Sequence, residues 1–539
     1  MNEKPKRSLM SFLYEMLLLA AGAYLYALAF PSIWSDSGWP WFAAVALIPV
    51  VYVIDRSPWS LAWFYGLAFG VGFYSLFNYW LSTFHQLAIY ICGIIKGLEL
   101  TVVFLLLKAS YNRGGRFGYL VQSFLYTSYT FISQKGFFAY SYGQLGSAFY
   151  SMTPAIQLAD ITGIWGISFL LFLPQAFVAN LLHQNEQPEP MHYRKQWMDA
   201  LVITLLWILN FAYGFAAINR YKNLQPSRTI DIAAIQHNSD SWKGGFSQYK
   251  KNLDILSSLT RQSMEAEPDM VIWSETAFVP SVEWHVNYPS NYSTSLLVDS
   301  FVEFGKNLRV PLVTGNPEGI LKDPDLPPFD EKGNWNRIDY NSVILFGDGQ
   351  ILGTYRKQHL VPFTEYFPYE DLFPKFTEFL KSHDFHWWLQ GNESKVFEYD
   401  GINFSTSICF EDTFSDISRK FVKAGSDLLL NLSNDSWSGA VPAEMQHMAI
   451  GVFRSVENKK TTIRSTNSGI TCMITPWGEI VDPIEPFTAN WQLYQAPIYE
   501  ENTLYTMWGD WFAYLCMILL AVGLAMPIIR KVTRKTKGS

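Results

Sequence analysis

Two long, almost uncharged tracts bracket a charged, turn-rich middle. Residues up to about 216, and again about 505 to 529, are apolar runs, whereas the segment between them has the composition of a water-soluble domain. About 20 apolar residues at 1.5 Å each cross a ~30 Å hydrocarbon core, so the tracts are read as membrane helices. A balance of 49% hydrophobic to 16% charged residues agrees, being too apolar for an ordinary soluble enzyme. The expected organisation is an N-terminal transmembrane domain at 1–218 with about seven spans, a soluble domain at 228–499 and a transmembrane helix at 505–530.

The first run, Met10 to about Phe30, follows Lys4, Lys6 and Arg7 but is too long for a signal-peptide core, and is expected to stay as a first span. Further spans are expected at about Trp41–Ile54, Trp59–Trp80, Leu87–Leu107, Tyr119–Ile132, Ala155–Leu182, Trp197–Ala217 and Tyr505–Ile529. Basic residues then sort by side. With the N-terminus inside, Arg56, then Lys108, Arg113 and Arg116, then Arg194 and Lys195, then the tail from Arg530 to Lys537 all fall on the inner face. The middle domain is thereby expected outside the bacterial inner membrane, on the periplasmic side. Lys96 and Glu99, three residues apart within a span, share a helical face and are expected to pair. Trp39, Trp41, Trp80 and Trp508 suit interfacial belts.

From about Thr229 the pattern changes to short β-rich runs alternating with amphipathic stretches, which predicts an α/β layered domain. Strands are expected at Ile230–Gln236, Val271–Trp273, Leu312–Gly315, Ser342–Phe346, Gly349–Tyr355, Asn403–Cys409 and Asp427–Leu432, with helices near Gln248–Glu265 and Glu444–Asn458. The net charge of −7 without a basic block argues against nucleic acid. Cys92, Cys409, Cys472 and Cys516 are widely spaced and form no CxxC pair, so neither a zinc site nor a disulfide framework is indicated. Nothing in the sequence demands a metal or an organic cofactor.

Three apolar runs stop at residues that carry chemistry: Asp269 to Glu275, Gly353 to Phe363 around Lys357, and Gly401 to Asp412 around Cys409. A carboxylate, an ammonium and a thiol at strand ends suffice for acyl transfer through a thioester. Glu275, partly withdrawn from water, suits a general base. Lys357 would favour the thiolate of Cys409 and, with the backbone N–H of Phe410, stabilise a tetrahedral oxyanion. Glu365 and Glu411 are candidates for orienting Lys357 or the thiol, and His359 is read as a structural histidine. Each has a plainer account, since a lone cysteine is often a small buried hydrophobe and a Lys in Tyr-Arg-Lys is commonly solvated.

Together, Trp273-Ser274-Glu275-Thr276, Tyr355 to Phe363 with Glu365, and Ile408-Cys409-Phe410-Glu411 resemble the Glu, Lys and Cys motifs of the nitrilase (carbon–nitrogen hydrolase) superfamily. Membrane spans on both sides of such a domain, with Gln157 to Gly166 and Asn434-Asp435-Ser436-Trp437, resemble its apolipoprotein N-acyltransferase family. The resemblance implies an αββα sandwich with Glu275 as base, Lys357 at the oxyanion and Cys409 as nucleophile. It maps Glu365, Phe410 and Glu411 onto the active-site environment and Trp242 onto an aromatic near the entry. Family members often carry Tyr where Phe410 stands, so a role for that hydroxyl does not transfer. The implied acyl donor is a phospholipid, typically phosphatidylethanolamine, and the acceptor the α-amine of a diacylglyceryl apolipoprotein. Apolar residues Phe363, Tyr366, Phe367, Phe385, Trp387 and Trp388 are expected to cover a thioester or meet lipid. A membrane-anchored amidase acting on a small C–N substrate would use the same three residues, and a lipid or lipoprotein receptor would carry them inert.

Overall fold

A computed structural model describes residues 8–84, 86–136, 139–186, 196–289, 291–331, 333–362, 364–367, 369–381 and 387–536, of which 84, 376, 379–381 and 526–536 are described by backbone alone. Lys4, Lys6, Arg7, Arg194, Lys195, Phe363, Phe385 and Lys537 lie outside the described residues. The chain forms two compact units. One takes in residues up to Lys135, 139–222 and the chain from Trp508 on; the other takes in Asn223–Met507.

The first unit is helical. Among the described residues, the helices Leu9–Leu28, Trp59–Phe77, Ile164–Asn185 and Gln196–Asn223 and the stretch Gln86–Ile132 are long and apolar enough to cross a membrane, with a shorter apolar helix at Trp511–Ala525. Gln86–Ile132 is divided by a 3-10 turn at Gly115–Phe117, in line with two successive apolar segments. Two expected spans take a different form. Trp41–Ile54 folds as a 3-10 helix, Pro40–Ala44, and a nine-residue helix, Ile48–Arg56, each too short to cross alone. Ala155–Leu182 begins as two single turns, and its long helix starts only at Ile164, because Gly163 at φ 66° turns the chain out of the helical path.

Small residues let these helices approach closely. A Cβ on Gly66 would lie 2.6 Å from the Leu100 carbonyl, and one on Gly70 would lie 2.7 Å from the Gly97 Cα, so only hydrogens separate the two backbones. Polar side chains are tied off inside. Lys96 bonds Glu99 at 2.8 Å and lies over the rings of Tyr74 and Tyr140, and Asp160 accepts from the Tyr213 hydroxyl. Asp55 accepts from Gln122 and Asn180, both at 2.7 Å. Trp39, Trp41 and Trp508 are exposed, whereas Trp80, expected at an interface, is buried and packs on Tyr142.

The second unit is an α/β domain of two six-stranded sheets, an αββα sandwich. Its strands are β1 Arg228–Gln236, β2 Met270–Ile272, β3 Leu312–Gly315, β4 Glu318–Leu321, β5 Arg337–Tyr340, β6 Ser342–Gly347, β7 Gln350–Arg356, β8 Phe397–Tyr399, β9 Ile402–Ile408, β10 Leu428–Ser433, β11 Thr461–Thr466, β12 Cys472–Ile474, β13 Ile480–Val481 and β14 Asn490–Ile498. One sheet runs β14-β1-β2-β3-β6-β7, the other β13-β12-β11-β10-β9-β8, and β4-β5 is a separate hairpin. Strands β1, β2 and β3 are parallel neighbours, as are β9, β10 and β11, so each set ends on one side. Ligand chemistry on such sheets gathers at those C-terminal ends.

Helices Gly245–Ser263 and Tyr292–Asn307 cover the first sheet. Leu253, Leu256, Leu297, Val298, Phe301 and Phe304 pack on Val271, Trp273, Leu312, Ile344 and Phe346, while the alternate residues Ile232, Ala234, Ile272 and Val313 are buried as well. Burial on both faces explains why residues 232–235 of β1 and 428–430 of β10 read as unbroken apolar runs instead of alternating ones. Asn291 starts its helix by accepting from the Ser293 and Thr294 N–H groups. Helix Val441–Asn458 carries Pro442 in its first turn and stops at Lys459, which turns left-handed. The expected strands and helices of this unit are present within a few residues, and the difference that matters is at Cys409, which lies one residue beyond β9.

Gly315 ends β3 against the chain that carries Glu275. A Cβ there would meet the Thr276 nitrogen at 2.2 Å and the Glu275 Cα at 2.7 Å, both backbone atoms. Gly315→Ala is therefore expected to cost about 1–3 kcal/mol through overpacking, seen as a lower melting temperature of the detergent-solubilised protein. Gly347→Ala, which would meet only the end of the Leu352 side chain, at 3.0 Å, is the control expected to change it little.

Candidate active site

Three strand ends supply the chemistry. β2 runs out through Trp273 and Ser274 into Glu275, and Asn316 holds the loop that follows by bonding the backbone of Phe278, Pro280 and Val282. β7 runs directly into Lys357, and β9 directly into Cys409. Because β2 and β9 are central parallel strands of different sheets, their ends can face each other across the sandwich.

Lys357 is the centre of the polar arrangement. It is 1% exposed, and its ammonium lies 2.8 Å from Glu365 Oε1 and 3.5 Å from Glu275 Oε1. Asn341 joins the two carboxylates, its Nδ2 donating to Glu275 at 2.8 Å and Glu365 at 3.1 Å, while its backbone carbonyl accepts the backbone N–H of Lys357. The second Glu275 oxygen accepts the Asn434 N–H at 2.8 Å, and the second Glu365 oxygen accepts the Val361 N–H at 2.7 Å. Burial pushes the Glu275 carboxyl above its usual range against the pull of Lys357, with Glu365 adding to the rise. Burial alone would lower Lys357, but Glu365 and Glu275 outweigh it and hold the ammonium firmly protonated.

Cys409 opens a 3-10 helix, Cys409–Thr413, with φ 50°, a left-handed backbone unusual for a residue with a Cβ. Its half-buried thiol is within electrostatic reach of Glu275 and Lys357. Burial, then the Glu275 charge, push the thiol well above its usual range, and Lys357 offsets this only in part. Lys357 pulls toward the thiolate, but burial and Glu275 outweigh it, so the group is held as the thiol and a base has to ionise it.

Glu411 acts on the backbone next to Lys357 and Cys409. It is fully buried and accepts the N–H groups of Ile408, Gln358 and His359 and the Tyr355 hydroxyl, so it ties the chain before Cys409 to the chain after Lys357. Phe410 meets Phe414 edge-on, and His359 stacks on Phe414 at 4.5 Å. Trp242 is 41% exposed and contacts the edge of Trp388 at 5.9 Å; the Trp388 N–H bonds the Glu365 carbonyl, which places this aromatic pair beside the Lys357 cluster. Phe367 packs on Tyr369 and Phe373. Among the described residues, no group of three or more His, Cys, Asp or Glu side chains is arranged to hold a metal.

Matches to known proteins follow the same division. The carbon-nitrogen hydrolase model matches residues 231–495, and the apolipoprotein N-acyltransferase N-terminal domain model matches 22–177. Apolipoprotein N-acyltransferase 1 of Treponema denticola is 34% identical over 548 residues, covering 99% of both chains. The chain belongs to the apolipoprotein N-acyltransferase family. Apolipoprotein N-acyltransferase 1 of Treponema pallidum is 32% identical over 96% of this chain and 97% of its own. The protein is thus an acyltransferase-family enzyme with a nitrilase-like domain, and a membrane protein.

Beyond the residues singled out in the sequence, this acyltransferase-family site holds several others. Asn341 and the Asn434 N–H grip Glu275, and Asn467 links Asn434 to the Ser239 carbonyl at the start of the Trp242 loop. Behind Cys409 lies a buried ionic cluster. His447 Nε2 is 2.9 Å from Asp412 and its Nδ1 3.2 Å from Asp435, and Arg464 pairs with both carboxylates. Ser438 bonds Glu444 at the edge of the cluster. Burial works against the His447 cation, yet Asp412 and Asp435 raise it to about 9, with Arg464 opposing. Burial likewise opposes the Asp435 charge, but His447 and Arg464 hold it well below the usual carboxylate range.

A histidine raised from 6.5 to about 9 on folding stabilises fully below pH 6.5 and loses that contribution as pH rises through 9. The shift corresponds to about 3 kcal/mol. The melting temperature of the solubilised protein is expected to fall between pH 6.5 and 9, and His447→Gln is expected to flatten that fall.

Proposed function

We propose that this protein moves a fatty acyl chain from a membrane phospholipid, typically phosphatidylethanolamine, to the N-terminal amine of diacylglyceryl apolipoproteins, through a thioester on Cys409. The observation that carries this reading is the Lys357 ammonium buried between Glu275 and Glu365, with the Cys409 thiol in electrostatic reach, in a chain with membrane-length apolar helices. Its relatives are named for lipoprotein N-acylation. A soluble amidase has no need of such helices, whereas each acyl CH₂ left in water costs ~0.8 kcal/mol, so an enzyme for acyl chains gains by keeping them in the bilayer.

Glu275 accepts the Cys409 proton as sulfur attacks the ester carbonyl, forming the C–S bond. The oxyanion is met by Lys357 and the Phe410 N–H. Collapse breaks the ester C–O bond, and Glu275 returns the proton to the leaving lysophospholipid alkoxide. In the second half the acceptor amine attacks the thioester, Glu275 takes the amine proton, the C–S bond breaks, and the proton passes to sulfur. The elevated thiol pKa accords with this order, because the nucleophile is generated only when Glu275 acts. Trp242 and Trp388 are assigned to the entry, where excluding water favours transfer over hydrolysis. The catalytic domain is assigned to the periplasmic side of the inner membrane, and the basic residues on alternate loops support this when Pro40–Ala44 and Ile48–Arg56 together make one broken crossing.

Intact mass after mixing the purified protein with a defined phospholipid is expected to rise by one acyl group. The adduct should be labile to hydroxylamine, absent in Cys409→Ala and discharged by a diacylglyceryl peptide; a folded protein that gains no mass would exclude the mechanism. The acid limb of thioester formation is expected above the ordinary carboxylate range, since burial and Glu365 both raise Glu275. Glu365→Gln removes one of those causes, so in a single-turnover pH profile its acid limb should move to lower pH, with a reduced maximum rate because Lys357 loses its closer partner.

A further inference from the structure

The left-handed turn at Cys409 is unfavourable for a residue with a side chain, by about 1–2 kcal/mol. It persists only where the surroundings hold it. What holds it is visible at the carbonyl of Cys409 itself, which accepts two side-chain donors: Asn431 Nδ2 from β10 at 3.2 Å and His447 Nε2 from the helix Val441–Asn458 at 3.3 Å. We propose that His447 and Asn431 form a two-donor clamp on the Cys409 carbonyl, and that both are positioning residues that aim the nucleophile for the acylation step. The inference rests on the assignment of Cys409 as nucleophile.

The clamp is built into both flanks of the turn. Asn431 also bonds the Ser407 hydroxyl at 3.1 Å on the neighbouring strand, so its amide bridges the last residues of β9 and the turn beyond them. Among the described residues its Oδ1 is buried with no hydrogen-bond partner, which leaves the donor end as the part that works. His447 is aimed from behind by charged groups on three neighbouring elements. Asp412 from the 3-10 helix faces Nε2, and Asp435 from the end of β10 and Arg464 from β11 face Nδ1; Glu444, one turn earlier on its own helix, borders the Asp435 side. The Nε2 hydrogen is shared between Asp412 and the Cys409 carbonyl. In the protonated ring the Nδ1 hydrogen faces Asp435, which leaves the Nε2 hydrogen to Asp412 and the Cys409 carbonyl.

A backbone clamp predicts a defect in chemistry without a defect in donor binding. The experiment is single-turnover acylation of the full-length protein in detergent by a defined phospholipid, followed by intact mass as a function of donor concentration. Variants are His447→Asn, His447→Gln and Asn431→Leu, each with its melting temperature. The Gln amide reaches the place of Nε2 and the Asn amide falls short, so the maximal acylation rate is expected to drop about tenfold or more in His447→Asn and Asn431→Leu, to recover to within about threefold in His447→Gln, and to show the same half-saturating donor concentration throughout. The Asn431→Leu/His447→Asn double variant should lose less than the product of the single losses, because both act on one carbonyl.

Folded variants that acylate within twofold of the native chain would overturn the clamp, as would a rise in the half-saturating donor concentration with an unchanged maximal rate, or a loss in His447→Gln equal to that in His447→Asn. If the His447 variants do not fold, Asn431→Leu alone decides by the same criteria, with Asn431→Gln as its conservative partner. Failure of the native chain itself to form a Cys409 adduct would instead refute the thioester reading on which the clamp rests.

Discussion

A fully buried ammonium between two carboxylates is the constraint on which the catalytic domain depends. Lys357 cannot stay charged out of water unless its neighbours replace the lost hydration, and leaving such a group unpaired would cost several kcal/mol. Glu365 and Glu275 supply the charge, Asn341 donates to the same oxygens that face Lys357, and the Asn434 and Val361 N–H groups hold the remaining ones. The loop beyond Lys357 is drawn into the same arrangement, since Gly391 donates to the Lys357 carbonyl and Trp388 to that of Glu365. Electrostatics and loop conformation are here one problem. The aromatic pair Trp242 and Trp388 takes its place from the backbone that satisfies the lysine cluster.

The same site shows carboxylates used in two ways. Glu275 is gripped by two donors, yet it remains under the influence of burial and of Glu365, which keeps its affinity for a proton high. Glu411 is also raised by burial, but its oxygens are spent on three backbone N–H groups and a tyrosine hydroxyl. One carboxylate is placed to exchange a proton and the other to template a turn. Their neighbours decide this, since both are buried glutamates just beyond a strand. The thiol obeys the same logic: burial and Glu275 overcome the lysine, so reactivity has to come from proton transfer instead of a standing thiolate.

In the helical unit the organising force is different. There is no water to replace, so helices come together through small residues and internal pairing of polar groups. Gly66 and Gly70 allow near-contact with Gly97 and Leu100, and Lys96 with Glu99, Asp160 with Tyr213, and Asp55 with Gln122 and Asn180 satisfy their polar groups inside the unit. Gly163 breaks an apolar tract that would otherwise read as one helix, and Pro40 to Arg56 packs as two short pieces.

Much of this was legible in the chain. Apolar length gave the membrane segments, and short β-rich runs gave the layered domain, because hydrophobic length and periodicity are local properties. Glu275, Lys357 and Cys409 stood out as reactive residues just past strands, and Lys96 and Glu99 as a pair one helical turn apart, for the same reason. Asn341, Asn431 and His447 gave no comparable signal: polar residues near strands and helices are common, and their importance comes from partners 66, 22 and 38 positions away. Nor could the sequence give the left-handed backbone of Cys409, the burial of Trp80, the use of Glu411 on backbone N–H groups, or the direction of the thiol pKa. The sequence by itself determined which segments seek the bilayer, which seek a sheet, and which residues carry reactive groups. Only the tertiary structure decided the charge and orientation of those groups, because both depend on how much water is excluded and which distant side chains replace it.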